Sequence, residues 1–254
     1  MENKEYGSII GNPDAPYING LAAAGALATQ YYAVSHPSLP NYLALTGGST
    51  FGVSSDCKPS PSCSVNGPGI VDELQAAGKS WKGYMEDLPS ACATSNGGQY
   101  AVKHNPFVYY NKVVANWCDH VVPAGQLQTD LAAGQLPAFS WLTPNLCNDM
   151  HDCSVKTGDG YLAGVLPKVL DALGGSGVLF LVWDEGKTSL GGGLPNAAGG
   201  QVTMIAAGPA AKKGYRSSVA MNHYSLLRTI QDAWGLAPLN ESVGASPMTD
   251  LFAS

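Results

Sequence analysis

The chain has 254 residues, enough for one large core, and α/β folds of this length commonly form a single domain. Apolar residues make up 45% and charged residues only 13%, which excludes a disordered chain; no stretch reaches the ~18 apolar residues of a transmembrane helix. Net charge is −6 with no basic run, which argues against nucleic acid or an anionic membrane held on a broad positive face.

The opening ENKEYGSIIG reads as the turn after a strand that would precede the first residue. No signal peptide is present, so the chain reads as a mature or truncated form. Residues 16–29 (PYINGLAAAGALAT) read as an alanine-rich helix, and 40–46 as a helix opening just after Ser38, with Pro40 in its first turn. Residues 68–77 predict a helix stopped by Gly78, followed by a strand over 79–84. A helix over 123–133 precedes the strand 138–142, and 159–173 is helical. GVLFLVW (177–183) is a continuous apolar run that predicts a buried parallel strand; QVTMIAA (201–207) is a second strand, and 223–235 closes as a helix. This alternation predicts an α/β sandwich with a largely parallel sheet, residues 1–254 forming one domain without repeats or linkers. Segments 47–67, 85–122 and 143–158 are left as long loops of the functional kind.

Each of those loops carries cysteines. An even number, six, without C-x-x-C spacing reads as disulfides formed in an oxidising, extracytoplasmic compartment rather than as a zinc site. The favoured pairing is Cys57–Cys63, Cys92–Cys118 and Cys147–Cys153, because the first and last pairs close short, turn-rich loops. Loops that short gain roughly 2 kcal/mol by chain entropy, so their larger use is to hold loop shape.

Four clusters carry chemistry. Asp184 and Glu185 follow the strand VLFLVW, at the sheet edge where α/β proteins bind ligands, and adjacent carboxylates there suit a divalent cation. Glu2 and Asn3 form a second acid–amide pair, which alone reads as a plain acidic terminus. In HPSLPNY (36–42), Ser38 stands at a helix N-terminus whose unpaired N–H groups favour an alkoxide or a phosphate; taken alone, it reads as a helix cap. PNLCNDMHDC (144–153) gathers Asn145, Asn148, Asp149, His151 and Asp152 in one stapled loop, some of them only shaping it. His104 in KHNP and His223 in NHYSLLRTI add imidazoles, although Asn222 also reads as the cap of the last helix; His120 reads as structural.

The segments ENKEYGSIIG, HPSLPNYLALTGG, EDLP, KHNP, PNLCNDMHDC, WDE and NHYSLLRTI, in this order, resemble the bacterial and fungal phosphoesterase family. That family includes acid phosphatases and non-haemolytic phospholipases C and belongs to the alkaline-phosphatase-like superfamily. The length and the NDMHD loop resemble its small secreted acid phosphatases, including those acting on phosphoinositides. The resemblance implies a three-layer α/β/α sandwich with a mostly parallel central sheet, and a phosphoryl-enzyme mechanism. It implies Ser38 as nucleophile, and Glu2, Asn3, Asp184 and Glu185 as ligands of a divalent metal ion (Mg, Ca, Mn or Zn). His104, His151 and His223 would contact phosphoryl oxygens or protonate the leaving group, with Asn41 and Asp152 supporting substrate binding. Lys4 stands where many members have histidine, and the strand those members carry before the Glu-Asn pair is absent. The implied substrate is a small phosphate monoester or a phospholipid headgroup. The alternatives are a phosphodiesterase of phospholipase C type, a non-catalytic secreted phosphate-binding protein and, more remotely, a sulfate-ester hydrolase.

Overall fold

A computed structural model describes residues 1–253. In chain order the chain forms helix α1 (Tyr6–Ile9), α2 (Pro16–Ala24), strand β1 (Ala26–Ala28), β2 (Tyr31–Tyr32), α3 (Ser38–Gly47), α4 (Ile70–Ala76) and β3 (Trp81–Met85). It continues through α5 (Asn111–Asn116), β4 (Val121–Pro123), α6 (Gly125–Ala132), β5 (Phe139–Thr143) and α7 (Val155–Ala172). It ends with β6 (Leu179–Val182), β7 (Met204–Ala207), β8 (Tyr215–Ser217), β9 (Met221–Asn222) and α8 (His223–Trp234).

The strands form ladders in the orders β6-β7-β1-β8, β4-β3-β5 and β2-β9. The pairs β3/β4, β3/β5, β1/β8 and β2/β9 are parallel, whereas β7 runs antiparallel to both β1 and β6. Helices α2, α6 and α7 contact one another in one group and α3, α4 and α8 in another, with the strands between them: a three-layer α/β/α fold. Two apolar clusters fill it. One is centred on Leu27, Ile205 and Trp183, the other on Trp81, Phe107 and Tyr109.

The helix expected over 16–29 stops at Ala24, and Ala26–Ala28 becomes a central, fully buried strand. Burial between β7 and β8 overrides alanine's helix preference, and Gly25 makes the break. The strand expected to be buried and parallel, β6, is only partly buried and pairs antiparallel with β7. It ends its ladder, and the first residue completes its edge: the Met1 amino group donates to Val182 O and Asp184 N–H donates to Met1 O. The loop expected over 85–122 contains short 3₁₀ turns and α5, segments too short for apolar periodicity to reveal. The three expected disulfides are the ones formed, and every cysteine is paired.

A Cβ at Gly25 would lie 2.5 Å from Ala206 O, a backbone atom of the neighbouring strand. Gly25→Ala is therefore expected to lower unfolding free energy by about 1–3 kcal/mol, measured by urea denaturation; an unchanged midpoint would contradict this close packing.

Candidate active site

Helix α3 opens at Ser38, its first residue, after the extended Pro37. The Asn41 side chain builds this entry: Oδ1 accepts from the N–H groups of Val34 and Ser35, while Nδ2 donates to the carbonyls of Ser35 and Pro37. Every hydrogen-bonding position of Asn41 is thereby used inside the protein, so it shapes the turn before Ser38 and has none left for the substrate contact expected of it.

Ser38 is fully buried, and two carboxylates converge on it. Its Oγ lies 3.0 Å from Glu185 Oε1 and 3.3 Å from Glu2 Oε2. One hydroxyl has one proton, so it satisfies only one of them. Tyr42, one turn further along α3, donates to Glu2 Oε1, and its ring stacks on His104 with centroids 5.5 Å apart. His104 lies between two acids, Nε2 3.2 Å from Glu2 Oε2 and Nδ1 3.2 Å from Asp149 Oδ2.

The negative charge is not balanced by the surrounding protein. Burial pushes the Glu2 carboxyl well above the usual carboxylate range, and Asp184 and Asp149 push it further. Burial also raises Asp149 to about 6, and burial followed by the charge of Asp184 raises Glu185. The same burial lowers His104 to about 3, so its imidazole is neutral near pH 7. Asn3 Oδ1, Asp149 Oδ2, Asp184 Oδ2 and His104 Nε2 are buried without a well-directed hydrogen bond. Such orphaned groups fit a divalent cation, which takes carboxylate, amide and imidazole donors. The Asn3 backbone sits at φ 47, a left-handed conformation that asparagine tolerates, and its N–H donates to Asp184 Oδ1 at 3.2 Å. Glu2, His104 and Asp149 also offer ligand atoms within 4.8 Å of one another.

The stapled loop is clamped from below. Glu86 accepts from Asn145 N–H and from Asn148 Nδ2, while Asp87 accepts from Asn145 Nδ2. Held this way, the loop aims Asp149 inward and leaves His151 at the rim, where His151 Nδ1 meets Asp152 Oδ1 at 2.6 Å. Lys4 ties the chain start to this loop, donating to Met150 O at 2.7 Å.

His223 lies deeper than expected. Its Nε2 meets Asp184 O at 2.6 Å and its Nδ1 meets Tyr31 OH at 3.0 Å, while burial lowers its pKa to about 4. With both nitrogens engaged it positions the Asp184 backbone and has no nitrogen free for the catalytic contact expected of it. His120 is structural as expected, its ring stacked on Trp81 and Nδ1 2.9 Å from Trp81 O.

The structure also brings in residues that the sequence reading left without a role. Asp149 was flagged only as part of its loop, and Tyr42 shares a helix face with Ser38 through i, i+4 spacing. His36, two residues before Ser38, contacts Glu185 Oε2 through Nδ1. Lys103 and Asp56 pair at 2.9 Å, and Asp56 Oδ1 accepts from Leu39 N–H at 3.0 Å. No local pattern marks Asp56. An open cleft of about 360 Å³, lined by Asn3, His36, Glu185, Gly186, Lys187 and Ser189, adjoins the acids. A larger one, about 470 Å³ around Trp81 and His120, shares no residue with this site.

Comparison with known proteins places the chain in a family. The model of the Phosphoesterase family matches residues 10–237. A phosphatidylinositol-3-phosphatase of Mycobacterium tuberculosis is 35% identical over 99% of this chain and 80% of its own length. A phosphate-repressible acid phosphatase of Penicillium chrysogenum is 32% identical over 87% of this chain and 55% of its own. Among solved structures, an alkaline phosphatase superfamily protein from Vibrio parahaemolyticus superposes with a TM-score of 0.65 at 15% identity. That match covers 96% of this chain and 68% of the Vibrio chain, and at such identity it speaks for the fold alone. The chain belongs to the Phosphoesterase family and is a phosphoric ester hydrolase.

Proposed function

We propose that this protein is a metal-dependent, extracytoplasmic acid phosphatase that hydrolyses phosphate monoesters through a phosphoserine formed on Ser38. The observation that carries the reading is the buried Ser38 hydroxyl between Glu2 and Glu185 at the N-terminus of α3. Glu2, Asn3, Asp184 and Glu185 would hold the divalent cation, with His104 meeting Glu2 from its other side and Asp149 meeting His104 in turn. When bound, that ion would stabilise the serine alkoxide and neutralise phosphoryl charge.

The chain's own residues do the rest. Ser38 Oγ attacks phosphorus in line while its proton passes to Glu185 Oε1, the nearer carboxylate. The bond from phosphorus to the leaving oxygen breaks, and His151, held by Asp152, gives that oxygen a proton. Water then attacks the phosphoserine and gives a proton to His151; the bond from phosphorus to Ser38 Oγ breaks, Glu185 returns its proton to Oγ, and phosphate is freed. The polar lining of the adjoining cleft suits a hydrophilic leaving group such as a polyol, and the relative that acts on phosphatidylinositol 3-phosphate makes a phosphoinositide headgroup the leading substrate class. Three disulfides support an extracytoplasmic location, and no helix among the described residues is long and apolar enough to cross a membrane.

Ser38→Ala should lower turnover of p-nitrophenyl phosphate by more than about a thousandfold with the circular dichroism spectrum unchanged; near-normal rates would refute the nucleophile. Rates on a phosphomonoester should exceed those on phosphatidylcholine by at least about a hundredfold, and the reverse order would assign a phospholipase C. Metal-stripped protein should show a pH-dependent melting temperature. Asp149, raised to about 6, and Glu185, also raised, bind protons more tightly folded than unfolded, so their stabilisation is present at acid pH and lost as pH rises through about 6. His104 and His223, lowered to about 3 and about 4, shift stability the opposite way across the same range. The calorimetric check is therefore the gain in melting temperature on adding a divalent ion, which should be larger above about pH 6, where these carboxylates are ionised, than at about pH 4. An equal gain, or none, at both pH values would argue against the cation.

A further inference from the structure

Beside Ser38 lies a feature that the reaction above does not use. The Asp56 carboxylate spans two donors of different origin: Oδ1 accepts from the Leu39 N–H of α3 at 3.0 Å, and Oδ2 accepts from Lys103 Nζ at 2.9 Å. Leu39 N–H follows Ser38 directly at the positive end of a ten-residue helix, and no cap side chain from its own turn satisfies that terminus. Lys103 adjoins His104, whose ring touches Glu2, and its ammonium is 3.4 Å from His151 Nε2. One helix-end amide and one ammonium thus converge beside the nucleophile, and what they hold is a planar, two-oxygen anion belonging to the protein itself. His104 Nε2, at 2% exposure, lies 3.2 Å from Glu2 Oε2 without a directed hydrogen bond.

We propose that Asp56 is a built-in competitor of the substrate phosphoryl group: its carboxylate fills the cradle of Leu39 N–H and Lys103, and phosphate binds by displacing it. This rests on the reading of Ser38 as the phosphate-bearing centre. The exchange needs no movement of the main chain. Asp56 precedes the Cys57–Cys63 loop, which Tyr109 OH pins by donating to Cys57 O at 2.7 Å, so rotation about the two side-chain bonds of Asp56 vacates the cradle. Both partners of the ion pair retain about a quarter of their exposure, 22% for Lys103 and 27% for Asp56, so water reaches the pair and the contact is weak enough to exchange. A phosphate carries more charge and more acceptor oxygens than a carboxylate, and it wins the donors when present. Discrimination follows. Ligands bearing only one weak acceptor at this position fail to displace Asp56, whereas a phosphomonoester succeeds.

The test is inorganic phosphate binding to the intact protein, followed by titration calorimetry, for wild type, Asp56→Asn, Lys103→Met and the double variant. Apparent affinity scales with the fraction of molecules whose cradle is open, so a cradle filled about nine-tenths of the time predicts roughly tenfold tighter phosphate binding in Asp56→Asn. Lys103→Met should weaken binding, and adding Asp56→Asn to it should recover much less than the gain in the wild-type background. A purely structural cap at Leu39 predicts a different outcome: lower melting temperature in Asp56→Asn and unchanged or weaker phosphate binding, which would overturn the proposal. Asp56→Ala repeats the measurement without an amide that could itself engage Lys103 or Leu39. Binding is read without turnover, so full activity in Ser38→Ala would refute the nucleophile without deciding this outcome, and unchanged phosphate affinity in Asp56→Asn would refute the competitor without touching the nucleophile.

Discussion

One hydroxyl between two carboxylates governs this molecule. Ser38 Oγ lies within hydrogen-bond reach of both Glu185 and Glu2 and can donate to only one. Asp184 and Asp149 add further negative charge to the same buried volume, and burial makes each charge more costly than it would be in water. A region of this kind is stable only when protons or a cation are present. Under the proposed reaction the resting cost and the catalytic use have the same cause, because a group that relieves carboxylate repulsion also lowers the cost of a serine alkoxide.

The rest of the fold delivers these acids to one point from distant parts of the chain. Glu2 and Asn3 arrive on backbone hydrogen bonds from Met1 to the end of β6 and from Glu2 to Asp149. Asp184 and Glu185 follow β6 itself, and His223 at the start of α8 holds the Asp184 carbonyl. Asp149 comes from a loop stapled by Cys147–Cys153 and clamped by Glu86 and Asp87. EDLP and PNLCNDMHDC, two separate segments in the sequence, are one structural unit. The first supplies acceptors that fix the second, and the second supplies Asp149 and His151.

The sequence was most legible where one residue pattern has one physical meaning. Helix α8 has its Asn222 cap and its Gly235 stop, and the short cysteine loops closed as their spacing suggests. Legibility failed where the environment decides. Ala26–Ala28 has helix-forming composition, yet neighbours on both sides of the sheet make it a strand. The family resemblance implies Asn41 as a substrate-supporting residue, and only its four backbone contacts show that it has no capacity left. Asp56 carried no signal, since its meaning arises from a lysine 47 residues away and an amide 17 residues away.

The three histidines show why depth, invisible in sequence, divides their work. His223 is fully buried with both nitrogens engaged, so it transmits position and is neutral at pH 7, its one ring proton on Nε2 donated to Asp184 O. His104 is buried against Glu2 and Asp149 and is neutral, the form in which imidazole serves as a metal ligand. His151 alone of the three reaches the rim, with 27% of its side chain exposed; Asp152 holds its Nδ1, and Nε2 lies 3.4 Å from Lys103 Nζ. In the proposed reaction a proton must reach the leaving oxygen from a group that exchanges with solvent. Of the three, only His151 is exposed enough for that exchange, so under that proposal the donor is the histidine that the loop of Cys147–Cys153 places at the surface.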